Sequence, residues 1–419
     1  MKTFAQSVRS VKKYTAVFIR WVLIAGMTGF VCGGVGYAFH KCVDMATVFR
    51  TGHQWIIGLM PVAGLAIVWL YKRFKMMDHA GTNNIISSVR TNENVPILLA
   101  PLIFVSTVIT HLFGGSAGRE GAALQLGGSI GFQMGRLFRL PEKDKNLVVM
   151  CGMAGLFSAL FGTPLTATIF SMEVISVGVF YYSGLLPCLT SAMAAYAVAD
   201  YFGAAPVRYA VTAIPALSVV SVGQVAVLSV LCAVVSILFC LVMHGTEHLL
   251  KKTLKNEYIR IVAGGGIIIG LTLLVGNTDY NGAGMDIVEN AIIGGKAVWY
   301  AFALKIVFTA ATIGSGFRGG EIVPTFFIGA TFGCAAGTLL GLDPGFGAAL
   351  GFVALFCGVV NCPLASLALA VEVFGAQGLL FFAMACSISY MLSGYYGLYS
   401  SQKIVYSKIH AEYINRDAE

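Results

Sequence analysis

The chain has 419 residues, of which 57% are hydrophobic and only 11% are charged. Soluble domains carry about 25% charged residues, so this composition excludes an ordinary soluble protein and indicates an integral membrane protein. The net charge of +8 does not indicate nucleic-acid binding, because the basic residues lie in loops and near the ends of the chain. The ten cysteines occur singly in apolar segments, so they are interpreted as small buried hydrophobic residues, and no cofactor or metal is expected.

Basic residues flank the apolar part of the chain at both ends. Residues 1–20 contain no acid, and the first apolar segment, at about residues 21–39, is about long enough to span a bilayer. The positive-inside rule therefore predicts a cytoplasmic N-terminus, and the basic residues of the C-terminal segment predict the same for the C-terminus. The C-terminal bases are Lys403, Lys408 and Arg416.

Thirteen further apolar segments follow in chain order, and glycine, of which the chain has 50, interrupts many of them. Several are shorter than the roughly 20 residues that a full span needs. Broken helices inside a membrane are tolerated only where their ends line a cavity or bind something. The segments lie at about 54–71, 96–113, 121–138, 147–161, 164–180, 183–203, 216–243, 258–276, 297–313, 322–341, 346–360, 363–374 and 377–394.

An internal repeat divides the chain into two halves, predicted at 1–205 and 206–419. Pro164 and Glu173 have the same nine-residue spacing as Pro363 and Glu372. Four glycines of the first half (Gly114, Gly118, Gly127 and Gly131) recur 202 positions later. Chance similarity of glycine-rich helices is the alternative. The repeat predicts an all-α polytopic fold of two inverted halves with a binding site at the midplane, in which Glu173 and Glu372 bond to backbone of the opposite half.

Four glycine-rich stretches each precede an apolar or amphipathic run and predict helix N-termini. They read AGTNNIISS (80–88), GGSAGREGAAL (114–124), GAGMDIVEN (282–290) and GSGFRGGEIVPTFF (314–327). Free N–H groups and the helix dipole favour an anion at such ends. Four helix starts that face one another would form an anion site without a fixed cation, which suits an ion that must be released.

Glu120 lies at one of these predicted helix starts, in very apolar surroundings. When deprotonated, its carboxylate can occupy an anion site itself; when protonated, it is neutral and can leave. One side chain would thereby link anion occupancy to a proton. The alternative is a capping glutamate, which contributes about 0.3–1 kcal/mol to stability.

The motifs GREGA (118–122), GGEIVP (319–324), the Pro-Leu…Glu-Val repeats and GYYGLYSSQ (394–402) resemble the CLC family of chloride channels and anion/proton antiporters. The resemblance implies a homodimer with one pore per subunit, Glu120 as the external gating glutamate and Tyr399 as the pore tyrosine. Three departures most resemble the bacterial fluoride/proton antiporters. HAGTNN (79–84), which has an asparagine and lacks the serine and proline, replaces the usual GSGIP. In the third motif Ile322 replaces a phenylalanine and follows GGE (319–321), and Val174 replaces an internal glutamate.

The candidate site follows from these stretches. Glu120 and Glu321 are the predicted gating and proton-coupling residues. Which of Ala80, Gly81 or Thr82 replaces the usual serine stays open. Helix capping is the alternative for Asn83, Thr325 and Glu321, and packing is the alternative for Tyr399. The predicted anion-binding residues are Gly81, Thr82, Asn83, Gly118, Arg119, Gly121, Ile322, Val323, Thr325 and Tyr399.

The sequence thus predicts a transporter, not an enzyme, that exports fluoride across a bacterial inner membrane in exchange for protons. Its expected partners are fluoride, protons, lipid and a second copy of the chain. A chloride/proton antiporter or chloride channel of the same fold is the nearest alternative. A remote alternative is a membrane metalloprotease, because HGTEH at 244–248 matches an HxxEH pattern.

Overall fold

The structure is a computed structural model that describes residues 4–77, 79, 81–91, 93–211 and 213–419, with side chains described from residue 11 onward. The described residues form helices almost throughout. Those of the first half are α1 (Phe4–Gly52), a 3-10 helix (Gln54–Leu59), α2 (Met60–Arg73), α3 (Thr82–Thr91), α4 (Leu99–Leu112), α5 (Glu120–Leu137), α6 (Glu142–Phe161), α7 (Pro164–Glu173), a 3-10 turn (Tyr182–Gly184) and α8 (Leu185–Tyr201). Those of the second half are α9 (Val219–Thr253), α10 (Glu257–Val275), α11 (Met285–Ile292), α12 (Ala301–Gly314), α13 (Ile322–Leu339), α14 (Pro344–Val360), α15 (Pro363–Phe374) and α16 (Leu379–Leu392).

The two halves, α1–α8 and α9–α16, repeat one order of long, short and broken helices. Each of the fourteen predicted apolar segments corresponds to a helix. Seven helical segments within the described residues are long and apolar enough to cross a membrane, so the predicted multi-pass architecture is confirmed. The short amphipathic helices α3 and α11 were predicted only by their starts, because with ten and eight residues they are too short to appear as apolar segments of their own. The boundary at 205/206 falls in the link between α8 and α9 and stays a prediction.

Glycine brings the central helices of each half into backbone contact. A Cβ on Gly127 of α5 would lie 2.2 Å from the carbonyl oxygen of Gly152 on α6, and a Cβ on Gly329 of α13 would lie 2.4 Å from that of Gly351 on α14. Small residues allow such approach between membrane helices. These contacts bury α5 and α13 at the centre of the molecule, where their N-termini form the candidate site.

The two repeat glutamates exchange hydrogen bonds between the halves, as predicted. Glu173 at the end of α7 accepts from the Leu364 and Ala365 N–H groups at 3.2 and 2.8 Å, at the start of α15. Glu372 on α15 accepts from the backbone N–H groups of Leu165 and Thr166 at 2.9 and 2.7 Å, at the start of α7. Each carboxylate therefore satisfies free N–H groups of the opposite half.

The C-terminal segment adds a small sheet that the all-α prediction lacks. Strands β1 (Ser176–Val177), β2 (Lys403–Tyr406) and β3 (Tyr413–Asp417) are arranged in that order, β1–β2 parallel and β2–β3 antiparallel. Periodicity did not indicate these strands, because β1 has two residues and pairs with a segment more than 200 positions away. Just before β2, the Ser401 N–H donates to Asn83 Oδ1 at 3.1 Å. This bond holds residues 398–401, which we call the Tyr399 segment, against α3.

We expect Glu173→Ala to lower the free energy of unfolding by about 2–3 kcal/mol, because two backbone N–H groups lose a charged acceptor. The measurement is thermal unfolding of the purified protein in detergent. Glu142→Ala is the matched control, because Glu142 is an exposed helix acid paired only with Lys145 at 2.6 Å. Equal melting temperatures for the two variants would contradict the bridging role.

Candidate functional site

A pair of backbone hydrogen bonds joins the halves at the centre of the site. The Gly118 N–H donates to the Gly320 carbonyl, and the Gly320 N–H donates to the Gly118 carbonyl, each at 2.7 Å. Helices α5 and α13 begin two residues after these glycines. A Cβ on Gly320 would lie 2.3 Å from the backbone nitrogen of Gly121, so the crossing requires glycine there. We call this pair of bonds the glycine bridge.

Two cavities approach the glycine bridge, and they share no lining residue. The Glu321 cavity has a volume of about 520 Å³ and contains residues of α3, α9 and the Tyr399 segment. The Glu120 cavity has a volume of about 340 Å³ and contains residues of α1 and the start of α11. Glu120 and Glu321 therefore lie on either side of the bridge, each in a different cavity.

Glu120 is 1% exposed and folds against the residue before it. Its Oε2 accepts from the Arg119 backbone N–H at 3.1 Å, and its Oε1 lies 3.4 Å from Arg119 Nε. The Arg119 guanidinium also binds Asp44 Oδ1 at 3.0 Å, and Asp44 in turn binds His40 Nε2 at 3.0 Å. Glu120 is thus held by its own helix start and by one cation that a second carboxylate already neutralises.

Glu321 lies half-buried in the other cavity. Its Oε2 atom is buried without a hydrogen-bond partner, and a Cβ on Gly121 would lie 2.9 Å from it. The carboxylate of the second half thus reaches the first turn of α5 in the first half. Tyr399 is 2% exposed, lines the same cavity and has an unpartnered hydroxyl. An unpartnered acid oxygen and an unpartnered phenol in one cavity indicate a site for a ligand.

The start of α3 completes the Glu321 cavity. Gly81, with φ +132°, precedes Thr82, the first residue of α3. The Thr82 hydroxyl donates to the Gly121 carbonyl at 3.4 Å and accepts from Gln125 Nε2 at 3.1 Å. Gly81, Thr82 and Asn83 all line the cavity, so the structure brings these predicted residues together with Tyr399. Ala80 lies outside the described residues.

Three predicted anion-binding residues of α13 lie elsewhere. The Thr325 hydroxyl donates to the Glu321 carbonyl at 2.9 Å, and Thr325 lines neither cavity. This bond engages the hydroxyl hydrogen within its own helix, one turn back, and does not cap free N–H groups. Ile322 is fully buried and also lines neither cavity. Val323 lines the Glu120 cavity and packs against Gly118.

The four predicted helix starts do not all meet in one place. The start of α3 borders the Glu321 cavity, and the start of α11 borders the Glu120 cavity. Helices α4 and α5 contribute residues to both cavities, whereas at the start of α13 Glu321 lines one cavity and Val323 the other. The inverted arrangement of the halves explains this distribution, because it directs equivalent short helices toward opposite sides.

Several residues that line the cavities were not predicted. In the Glu120 cavity they are Arg50 and His111, and in the Glu321 cavity they are Gln125, His244 and Glu247. The signal for them is a polar or ionisable side chain inside an apolar helix, which usually marks a pathway.

The HGTEH motif at the end of α9 faces the Glu321 cavity. His244 Nε2 lies 2.8 Å from the Gly397 carbonyl, and Glu247 pairs with Lys251 at 2.6 Å. No group of three potential metal-binding side chains occurs in the part of the chain that the structure describes.

Comparison with known proteins places the chain in one family. Residues 63–394 match the family model described as voltage gated chloride channel. The chain is 34% identical over 401 residues to a chloride/fluoride channel protein of Pseudomonas syringae, a match that covers 93% of this chain and 88% of the relative. It is 24% identical to the H(+)/Cl(-) exchange transporter ClcA of Vibrio cholerae, over 83% of this chain and 80% of the relative.

Two solved structures are similar to the whole fold. The crystal structure of a CLC-type fluoride/proton antiporter superimposes with a TM-score of 0.89 at 30% identity, over 96% of this chain and 99% of that chain. A slow cyanobacterial Cl⁻/H⁺ antiporter superimposes with a TM-score of 0.78 over 89% of this chain and 94% of that chain, but at 19% identity this match concerns the fold alone. With its inverted halves and the two cavities at the glycine bridge, the chain is a multi-pass membrane protein that belongs to the voltage-gated chloride channel (CLC) family.

Proposed function

We propose that this protein is a fluoride/proton antiporter that exports fluoride from a bacterial cytoplasm in exchange for protons. The observation that carries the proposal is the placement of Glu120 and Glu321 in separate cavities on either side of the glycine bridge. A carboxylate on each side provides two titratable groups along one path. Similarity to a chloride/fluoride channel protein and to a fluoride/proton antiporter supports this assignment.

The charge distribution supports an orientation in the membrane. Helix α1 runs from the basic N-terminal flank to Arg50 in the Glu120 cavity, so its start lies on the other side. The positive-inside rule then assigns the Glu321 cavity and both termini to the cytoplasm.

The proposed path begins in the Glu321 cavity. A fluoride ion holds its water strongly, so the site must replace that water with close donors. The unpartnered Tyr399 hydroxyl and the N-terminal turns of α3 and α5 provide such donors. A deprotonated Glu321 would repel the ion, so we infer that Glu321 is protonated or turned aside while fluoride passes.

Passage across the glycine bridge requires movement of Glu120. In the structure its carboxylate is held by the Arg119 backbone and side chain. When protonated, Glu120 loses most of its attraction to Arg119 and to the helix start. The helix start is then available to the anion, and the proton moves with the glutamate in the opposite direction. A homodimer with one such path per subunit is expected from the family resemblance.

The direct test is flux from liposomes that contain the purified protein, with fluoride, chloride and pH recorded on the same sample. We expect fluoride to move at least about tenfold faster than chloride, which corresponds to about 1.4 kcal/mol of discrimination. Fluoride efflux should also acidify the vesicle lumen. Equal fluxes of the two halides would support the chloride branch of the family instead. Protein-free liposomes provide the background.

We expect Glu120→Gln to abolish proton uptake driven by a fluoride gradient, because glutamine keeps the shape of the side chain but cannot titrate. The measurement is the pH change in the vesicle lumen. Glu142→Gln, which neutralises an exposed acid, should leave coupling unchanged. If Glu120→Gln couples fluoride to protons like the wild type, Glu120 is only a helix cap.

Glu321→Gln should fold normally but change fluoride turnover, or its dependence on pH, at least several-fold. The expected reason is the loss of the titratable group beside the path in the Glu321 cavity. Flux is measured between acidic and neutral pH, and size-exclusion chromatography controls for folding. A variant that transports like the wild type over this range would identify Glu321 as a helix-terminal acid without a role in coupling.

A further inference from the structure

The floor of the Glu120 cavity contains basic side chains that lack a partner. Arg50, near the end of α1, is 6% exposed, and its Nη1 atom has no hydrogen-bond partner. His111, near the end of α4, is fully buried, and neither ring nitrogen meets hydrogen-bond geometry, although the ring lies close to the Gly118 backbone. Both residues line the cavity. The transport steps proposed above use neither of them.

A third base lies behind this floor. Lys305 of α12 is fully buried and donates to the carbonyls of Tyr280 and Gly282 at 3.2 and 2.7 Å. A Cβ on Gly282 would lie 2.8 Å from Arg50 Nη1, so Arg50 and Lys305 both contact one residue. Among the described residues, neither has a carboxylate within ion-pair distance.

Four acids line the cavity, and among the described residues none is paired with these bases; Glu120 is paired with Arg119. Asp279 and Asp286 are exposed, where solvent and salt screen them. Asp44 is already paired with Arg119 and His40. The cavity therefore has acids at its mouth and unpaired bases at its floor.

We propose that this floor is a second anion-binding site, in which the Arg50 guanidinium and one His111 N–H bind a small monovalent anion and Lys305 adds positive potential. A buried cation without a partner is strongly unfavourable, and a bound anion would satisfy it together with one ring nitrogen of His111. In either neutral tautomer one ring nitrogen of His111 carries a hydrogen. The inference rests on the proposed function in that the anion is the transported one.

The site provides a position for an anion just beyond Glu120. While the Glu120 carboxylate occupies the start of α5, an anion on this side cannot enter the central path. Arg50 and His111 would retain it until Glu120 moves. The site should therefore affect the apparent affinity for an anion that enters through the Glu120 cavity, and not for one that enters through the Glu321 cavity.

The test measures, separately for each cavity, the fluoride concentration that gives half-maximal transport, which we call half-saturation. Thr47 lines the Glu120 cavity, so Thr47→Cys in a Cys42→Ser background allows a membrane-impermeant thiol reagent to block molecules of one orientation. Reagent in the bath blocks the molecules whose Glu120 cavity faces the bath, so only those whose Glu120 cavity faces the lumen stay active. Reagent trapped in the lumen has the opposite effect. Efflux is then recorded against luminal fluoride and, in parallel, against luminal chloride.

We expect Arg50→Gln and His111→Ala each to raise half-saturation at the Glu120 side by about tenfold, since each removes a hydrogen bond to a charged group. Half-saturation at the Glu321 side should stay unchanged. Lys41→Gln is the matched control, because it removes one charge from an exposed position of α1. Arg50→Lys, which keeps the charge, should show a smaller increase in half-saturation. This variant keeps the test informative if Arg50→Gln does not fold.

Titration calorimetry in detergent provides a second measurement that is independent of transport. Purified wild type should bind one more fluoride per chain than Arg50→Gln. Equal stoichiometry, or equal loss of affinity from both sides of the membrane, would overturn the second site. If the wild type transports and binds chloride rather than fluoride, the proposed substrate is wrong. The second site would then still be tested by comparing the chloride concentrations for half-maximal transport at the Glu120 side and at the Glu321 side.

Discussion

Helices that begin in the middle of a bilayer must satisfy their free backbone groups without water. In this protein the Glu173 and Glu372 carboxylates meet that constraint at the starts of α15 and α7. The glycine bridge pairs Gly118 with Gly320 ahead of α5 and α13, and it leaves the first-turn N–H groups of these two helices available to an anion. Both sets of bonds connect one half to the other, so the broken helices that create the site also hold the repeat together.

The bridge also explains why the two sides differ chemically. Since Gly118 and Gly320 are equivalent, Arg119 corresponds to Glu321, and Glu120 corresponds to Ile322. One backbone position thus carries a cation in the Glu120 cavity and a carboxylate in the Glu321 cavity. A symmetric pair of backbone bonds thus supports an asymmetric path, and this difference in side chains contributes to the asymmetry.

The sequence predicted most of the fold, because apolar segments, glycine spacing and the Pro-to-Glu repeat each reflect a strong constraint. Of the residues predicted for gating or anion binding, Glu120, Glu321, Gly81, Thr82, Asn83 and Tyr399 line the cavities, and their roles stay predictions. The sequence did not indicate β1–β3, which depend on distant pairing, and it did not show that the Thr325 hydroxyl bonds to its own helix. Arg50 and His111 were missed because only tertiary packing shows that they lack partners.

The thinness of the glycine bridge has an electrical consequence. Water in the two cavities would carry the potential of each bulk solution close to the bridge, so most of the transmembrane voltage would fall across the layer of protein between the two cavities. Moving one elementary charge through a full 100 mV drop changes its energy by about 2.3 kcal/mol. An anion or a carboxylate that crosses this layer would then sense a large part of the membrane voltage.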